Sequence, residues 1–330
     1  MSSSARVVVV IVNWNSGKYL NRCLTALSCQ SRLPDRTILV DNASTDGSCT
    51  LVERLFPTVE VIRLKENTGF AAGNNRAVER AGDCEWIAFL NPDAFPEPAW
   101  LAALMEAADR SFPEFSMFAS HLLRHGAEDE LDGTGDVYHV SGLAWRRDHG
   151  VKGESVTRER GEVFAPCAAA ALVRREEFVE AGGFDETFFC YFEDVDLAFR
   201  LRLMGKRCLY VPGAVVSHVG SGTTRRNSDF SVYHGHRNLV WCYIQNMPGT
   251  LFWVFLPQHL LANLAALVWF SIRGQMGPVF RAKWSALLGL PRAINRRKSV
   301  QEGRRVRPGV LRRAMARGWW LPYTSSRRRS

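Results

Sequence analysis

Apolar residues recur along the first part of the chain in blocks of strand length, separated by stretches with helical spacing. Val7–Val12 is an uninterrupted apolar run, the pattern of a strand buried on both faces. Lys18–Leu27 carries Tyr19, Leu20, Cys23, Leu24 and Leu27 on one stripe, which predicts a helix. Thr37–Val40 reads as a second strand, with Asp41-Asn42-Ala43-Ser44 as the turn at its carboxyl end. Thr50–Phe56 is helical up to Pro57, Val59–Leu64 is a third strand, a Gly/Asn-rich loop leads to a helix near Asn75–Ala81, and Trp86–Leu90 is a fourth strand. Strands alternating with helices predict βαβ units around a mostly parallel sheet, an α/β fold of Rossmann-like type.

Further on the pattern changes. Residues 121–163 are polar and dotted with glycine, as hairpins or surface loops are. Val163–Val173 reads as a buried strand whose small residues, Ala168–Ala171, would let a ligand approach closely. Residues 194–204 place Leu197, Ala198, Leu201 and Met204 on one helical face, with Gly205 as terminator. A strand-like run then ends at His218. Residues 233–330 differ in character, being aromatic, then apolar, then basic. Three regions follow: 1–95, 96–232 and 233–330.

Polar groups cluster where the strands end: Asn13-Trp14-Asn15, Asp41-Asn42, Asn67–Asn75 and Asn91–Asp93. Open parallel sheets bind ligands there. Asn91-Pro92-Asp93 makes a good turn, and Asp93 is also placed to hold a divalent cation. Glu193, Asp194 and Asp196 begin a helix, where acidic residues suit the dipole whatever their function, and Asp196 to Arg200 is an i,i+4 pair. The bulky run Phe188–Phe192 precedes them, and a carboxylate beside such a wall can act as a base in a water-poor pocket. Asn67–Asn75 matches neither GxGxxG nor GxxxxGK[ST], which removes support for dinucleotide and P-loop readings.

Charge is segregated. The net +9 of the whole chain hides +15 in residues 273–330, leaving −6 for the rest. An acidic body with a basic tail implies an anionic surface as partner. The cysteines show no CxxC or Cys/His metal spacing and read as reduced thiols of a cytosolic protein. Met1–Arg6 is too short and polar for a signal peptide.

Taken in order, VNWN (12–15), VDNASTDGS (40–48), ENTGFAAGNN (66–75), FLNPDA (89–94), GGFDETFFCYFEDVDLAFRLR (182–202) and VPGAVVSH (211–218) resemble glycosyltransferase family 2, in its bacterial rhamnosyltransferase-like branch. The resemblance covers about residues 1–240. It implies a GT-A fold, with 1–95 as the nucleotide-sugar half and 96–232 as the acceptor half. It also implies a nucleotide-sugar donor, a divalent cation (Mg2+ or Mn2+) and inversion at the anomeric carbon. By position, Asn13, Asp41, Asn67, Gly69 and Asn74 would serve the nucleotide, and Asp93 and His218 the metal. Asp194 would be the catalytic base, with Glu193 and Asp196 near the acceptor. Asn91 stands where many relatives have the first aspartate of a DxD motif. The implied reaction moves a sugar, rhamnose from dTDP-rhamnose on this resemblance, onto a lipid-linked saccharide in surface-polysaccharide synthesis. The alternative is a non-catalytic nucleotide-sugar-binding scaffold.

Within the last region, Leu251–Ile272 is long enough to span a bilayer, with Trp253 and Trp269 near its ends. Pro257, Gln258, His259 and Asn263 fall inside it. A single span would also separate a cytosolic donor site from a basic tail that prefers the same side. The expectation is therefore an in-plane or re-entrant, monotopic segment on the cytoplasmic face of the inner membrane, with residues 292–329 gripping anionic lipid. Burial in the protein or in a homodimer is the other arrangement that would hide it. Nucleic acid is not expected as a partner, because the basic residues follow an apolar segment rather than a stacking surface. Ser325–Ser330 is expected to be disordered.

Overall fold

A computed structural model describes residues 5–153, 159–220 and 228–319, so the expectation for Ser325–Ser330 lies outside the described residues. The first alternating blocks form β1 (Ala5–Asn13), α1 (Lys18–Ser28), β2 (Arg36–Asp41), α2 (Ser48–Leu55), β3 (Glu60–Arg63), α3 (Gly69–Ala81) and β4 (Cys84–Leu90). Helix α3 starts at Gly69, well before the expected Asn75. Its first amides have partners: the Gly69 N–H donates to Asn67 Oδ1 at 2.9 Å and the Ala71 N–H to the Phe189 carbonyl at 3.2 Å.

The middle region supplies β5 (Ala94–Pro96), α4 (Trp100–Ser111), β6 (Met117–Arg124), β7 (Ala127–Gly133), β8 (Asp136–Tyr138), β9 (Ala144–Arg146), β10 (Gly161–Val163), β11 (Ala170–Arg174), α5 (Arg175–Glu180), α6 (Glu193–Leu203) and β12 (Cys208–His218). The polar stretch after 121 is thus strand-rich. Of the apolar run 163–173, only the part from Ala170 is a continuous strand, because Phe164–Ala169 breaks between β10 and β11.

One ten-stranded sheet runs β10-β12-β6-β11-β4-β1-β2-β3, with β5 on β12 and β7 on β6, and β8 and β9 form a separate pair. The β3-β2-β1-β4 side is parallel. Beyond it the sheet is mixed: β11 lies antiparallel between β4 and β6, while β6 and β12 are parallel to each other. Alternate residues of β1 serve opposite cores. Val8, Val10 and Val12 join one apolar cluster, and Val7, Val9 and Ile11 join the other. This explains the unbroken valine run.

The last region is helical: α7 (Asp229–Asn246), α8 (Gly249–Ile272), α9 (Met276–Leu288), α10 (Leu290–Glu302) and α11 (Pro308–Ala314). Gly289, between α9 and α10, lies so close to Trp241 of α7 that a Cβ would sit 2.4 Å from the indole. Helix α8 turns its polar residues inward. His259 Nδ1 lies 2.7 Å from the Ser141 carbonyl, its ring stacks on Tyr243 at 3.9 Å, and Asn263 accepts from Lys283 Nζ at 2.5 Å. The opposite side is apolar and open: Trp253 is 71% exposed and Ile272 79%, with Leu260, Leu264 and Trp269 between them. Helix α9 continues this face through Met276, Phe280, Trp284 and Leu288. Burial within the chain is therefore not the fate of α8.

Helix α6 is fastened to α7 through Asp196. That carboxylate is fully buried, pairs with Arg200 at 2.8 Å and accepts from Asn246 Nδ2 at 2.7 Å. This placement corrects the expectation that Asp196 meets the acceptor. Its i,i+4 partner is also buried and consumes the charge. Asp196→Ala, which strands the guanidinium, is expected to cost about 3–5 kcal/mol, a large part of the roughly 5–15 kcal/mol that holds a domain. Urea unfolding reads this directly. An unchanged midpoint with a raised acceptor KM would return Asp196 to the acceptor site.

Candidate active site

The carboxyl ends of β1, β2, β4 and β12 open onto a cavity of about 910 Å³. On one wall Asn42, Asn67 and Gly69 are joined. Asn42 Nδ2 donates to Asn67 Oδ1 at 2.9 Å and to the Gly69 carbonyl at 3.0 Å, and Asn42 Oδ1 accepts from the Thr68 N–H at 2.8 Å. Gly69 is required here. It sits at φ +88°, and a Cβ would lie 2.5 Å from the Phe189 carbonyl oxygen.

The other expected nucleotide residues stand one layer behind this wall. Asn13 is fully buried and donates to Ser44 Oγ and Ser48 Oγ at 3.0 and 2.9 Å, bracing the turn after β2. Asp41 is buried and accepts from the Ser44 N–H at 3.0 Å. Asn74 is buried and donates to the Phe70 carbonyl at 2.9 Å, within α3. None of these three lines the cavity. Asn42 does, and the sequence signal for it was its place beside Asp41 at the end of β2.

At the cavity floor Asp93 and His218 meet. Pairing of β12 with β5 sets His218 opposite Ala94, and His218 Nε2 lies 3.3 Å from Asp93 Oδ1. The ring's other nitrogen, Nδ1, is 2.7 Å from Oδ2 of Asp132, a residue of β7. Asp132 also holds Arg146 of β9. Burial alone would depress the His218 imidazole, but Asp93 and Asp132 outweigh it and raise its pKa to about 9. Burial likewise opposes the charge on Asp132, yet Arg146, His149 and His218 hold it well below the usual carboxylate range. Asp132 and Arg146 were missed in the sequence. The only trace was the glycine-flanked Asp132-Gly133-Thr134-Gly135-Asp136, which looks like ordinary turn chemistry.

No group of three or more His, Cys, Asp or Glu among the described residues is arranged as a ready-made metal site. Two atoms at the cavity nonetheless suit a cation. Asn91 Oδ1 is buried with no hydrogen-bond partner, His218 Nε2 has the Asp93 carboxylate as its neighbour, and both residues line the cavity with Asp93. Mg2+ and Mn2+ commonly take one or two protein ligands and complete their shell from a substrate diphosphate and water.

The carboxylates at the start of α6 divide by environment. Asp194 is half-buried. Its Oδ2 accepts the Ala168 N–H at 3.1 Å and its Oδ1 the Val195 N–H at 2.8 Å. The small residues before β11 therefore admit a carboxylate rather than a ligand. Burial raises the Asp194 pKa, against those two N–H groups and Arg146. Glu193 is buried, stands well above its ordinary value through burial and the Asp194 charge, and has an unpartnered Oε2. Burial and Asp194 push Asp136 to about 7. Asp194 and Glu193 do not line the main cavity themselves, whereas Cys190 and Tyr191, just before them, do. Arg146 connects the two ends of the site, in contact with Asp132 and within the field of Asp194.

The segment before Asp194 is strained. Phe189 has φ 64° and ψ −62°, the γ-turn of positive φ, closed by the Cys190 N–H to the Phe188 carbonyl at 2.7 Å. Tyr191 and Phe192 follow at φ 70°. Each such residue costs about 1–3 kcal/mol and persists only where its surroundings enforce it.

The model of glycosyl transferase family 2 matches residues 8–176. An N-acetylglucosaminyl-diphospho-decaprenol L-rhamnosyltransferase of Mycobacterium tuberculosis is 31% identical, over 68% of this chain and 80% of that one. The rhamnosyltransferase WbbL of Escherichia coli is 32% identical, over 46% of this chain and 60% of its own. Among solved structures, a mannosyltransferase from Pyrobaculum calidifontis in complex with GDP-Man and Mn2+ aligns with TM-score 0.54 at 18% identity, over 92% of this chain and 86% of that chain. GalNAc-T7 with UDP, GalNAc and Mn2+ aligns with TM-score 0.58 at 18% identity, over 74% of this chain and 48% of that chain. At these identities the structural likeness is one of fold. With the family match spanning residues 8–176, about half of the sequence, the chain belongs to glycosyl transferase family 2, as a glycosyltransferase of GT-A fold in the rhamnosyltransferase-like branch.

Proposed function

We propose that this glycosyltransferase moves rhamnose from dTDP-rhamnose to a lipid-linked saccharide, with inversion and with a divalent cation. The observation that carries this reading is the meeting of Asp93 and His218 at the floor of a cavity walled by Asn42, Asn67 and Gly69. Rhamnose rests on what the Mycobacterium tuberculosis and Escherichia coli relatives are named for, the lipid-linked acceptor on the name of the first, and dTDP on the family resemblance. The residue roles are our own reading of the geometry.

Asn67 and Gly69 face the nucleotide, with Asp41 supporting the turn behind them. Asp93 and His218 would hold the cation, with Asn91 Oδ1 as a neutral neighbour. Asp132 fixes the His218 ring by its contact at Nδ1, which leaves Nε2 toward Asp93. When bound, the cation offsets negative charge on the departing diphosphate. Asp194 accepts the proton of the attacking hydroxyl as its oxygen bonds to the anomeric carbon. The bond from that carbon to the diphosphate oxygen breaks, and the nucleoside diphosphate leaves with the electron pair. A single displacement needs only one base. Glu193 stands beside that base, toward the acceptor.

The three regions then have different main tasks, joined at the site: 1–95 for the donor, 96–232 for catalysis and acceptor, 233–330 for the membrane. The apolar face of α8 and α9 docks in the plane of the cytoplasmic leaflet, with its polar seam turned into the protein. Arg273 and Arg281, both exposed beside that face, meet anionic headgroups. This keeps the cytosolic donor site and the lipid-linked acceptor on one side.

Release of nucleoside diphosphate from dTDP-rhamnose, measured with Mn2+ against other donors, tests the assignment. Asp194→Asn is expected to lower kcat by about 10²–10⁴-fold with the fold intact. Near-normal turnover would remove Asp194 as base. Glu193, Asp136 and Arg146 face Asp194, and burial raises its pKa. The rate should therefore fall on the acid side at a pH above the usual carboxylate range of about 4. An acid limb at or below that value contradicts the role. Asp93→Ala should lose both transfer and the rise in melting temperature on adding Mn2+. Full-length protein should sediment with vesicles containing phosphatidylglycerol. Trp253→Glu combined with Trp284→Glu should release it, and undiminished sedimentation would exclude this face.

A further inference from the structure

The strained turn at 189–192 is gripped from outside its own element. Asn238, in the middle of α7, is fully buried. Its Nδ2 donates toward three carbonyls of the turn: Phe188 at 2.9 Å, Cys190 at 3.0 Å and Tyr191 at 2.7 Å. Its Oδ1 accepts from Arg237 Nε at 2.9 Å, and Arg237 Nη2 donates to the Thr187 and Phe188 carbonyls at 3.1 and 3.0 Å. An amide nitrogen has two hydrogens, so three acceptors share them and the group is saturated. Carbonyls converging on one point repel each other unless a donor sits among them. The γ-turn at Phe189 and the positive φ values at Tyr191 and Phe192 are what make them converge.

The turn touches both ends of the site. The Phe189 carbonyl accepts the Ala71 N–H of α3 and crowds Gly69, while Phe192 leads directly into Glu193 and Asp194. We propose that Asn238 is a positioning residue for sugar transfer, holding the 189–192 turn and through it the Asp194 carboxylate in register with the donor cavity. This rests on Asp194 being the base. It makes α7, the first helix of the C-terminal region, part of the machinery that orients the base.

Variants of the full-length protein separate this role from packing. Asn238→Asp keeps the shape and the acceptor for Arg237 but offers the carbonyls no N–H. Asn238→Leu removes both functions, and Asn238→Ser retains a single O–H donor. Hydrogen–deuterium exchange should quicken in residues 189–196 for the Asp and Leu variants and less for Ser. Their kcat should fall at least about tenfold, while the affinity for nucleoside diphosphate, measured by calorimetry, stays within about threefold. Circular dichroism and thermal melting identify any variant that fails to fold, and the Ser variant then carries the comparison. Unchanged exchange at 189–196, or an Asp variant as active as wild type, overturns the proposal. Loss of kcat that only tracks loss of folded protein does the same. If the wild type transfers no sugar from any donor, the glycosyltransfer reading fails, and the exchange data still decide whether Asn238 holds the turn.

Discussion

One buried imidazole ties the parts of this site together. His218 ends β12, and its two nitrogens face carboxylates from different elements: Asp93 beyond β4 and Asp132 on β7. Neither acid could stay charged so deep in the protein without a positive or metal-bound partner. For Asp132, Arg146 and His218 supply that partner. The geometry depends on β12 pairing with β5 and β6 at once, which brings the last residue of one strand against the residue following Asp93. A carboxylate at each ring nitrogen fixes the orientation of the imidazole.

The Asp194 end of the site is organised differently. Asp194 is half-buried and held by two backbone N–H groups, but its charge is still disfavoured by burial. Its approach is set by a turn that a chain alone would avoid. Strain of this kind at the edge of a cavity is a form of preorganisation, since the orientation of the carboxylate is settled before substrate arrives. The enforcement comes from Gly69 on one side, which has no Cβ to obstruct Phe189, and from α7 on the other. The helical C-terminal region is thus packed into the catalytic body and is not an appended tail. The Asp196–Arg200–Asn246 contact binds α6 to the same helix.

The same region presents a different chemistry outward. Polar side chains in an apolar helix would be costly in lipid unless satisfied, and in α8 they are turned against Ser141, Tyr243 and Lys283. What remains is an apolar face shared with α9 and edged by arginine.

Much of the fold was legible in the chain. An unbroken valine run dictates a strand covered on both faces, and the leucine stripe of 18–27 dictates a helix lying on it, because each pattern has one economical way to leave water. The polar residues at strand ends marked the end of the sheet where the cavity opens, and Asp93 and His218, singled out by the motifs around them, meet there. Three things were not legible. The start of α3 at Gly69 depends on amides capped by Asn67 and by the distant Phe189 carbonyl. Asn13, Asp41 and Asn74 sit behind the cavity wall and not on it, and the Asp196–Arg200 pair, visible as a spacing, is buried against α7, because side-chain direction follows from packing. Asp132, Arg146 and Asn238 look like turn or helix residues in sequence, and acquire a role only from what lies opposite them. Local periodicity is a property of neighbours along the chain, so sequence alone determined the elements and the polarity of their ends. Charge pairing and the capture of converging carbonyls join residues tens to more than a hundred positions apart, so only the tertiary structure decided which polar groups share the site.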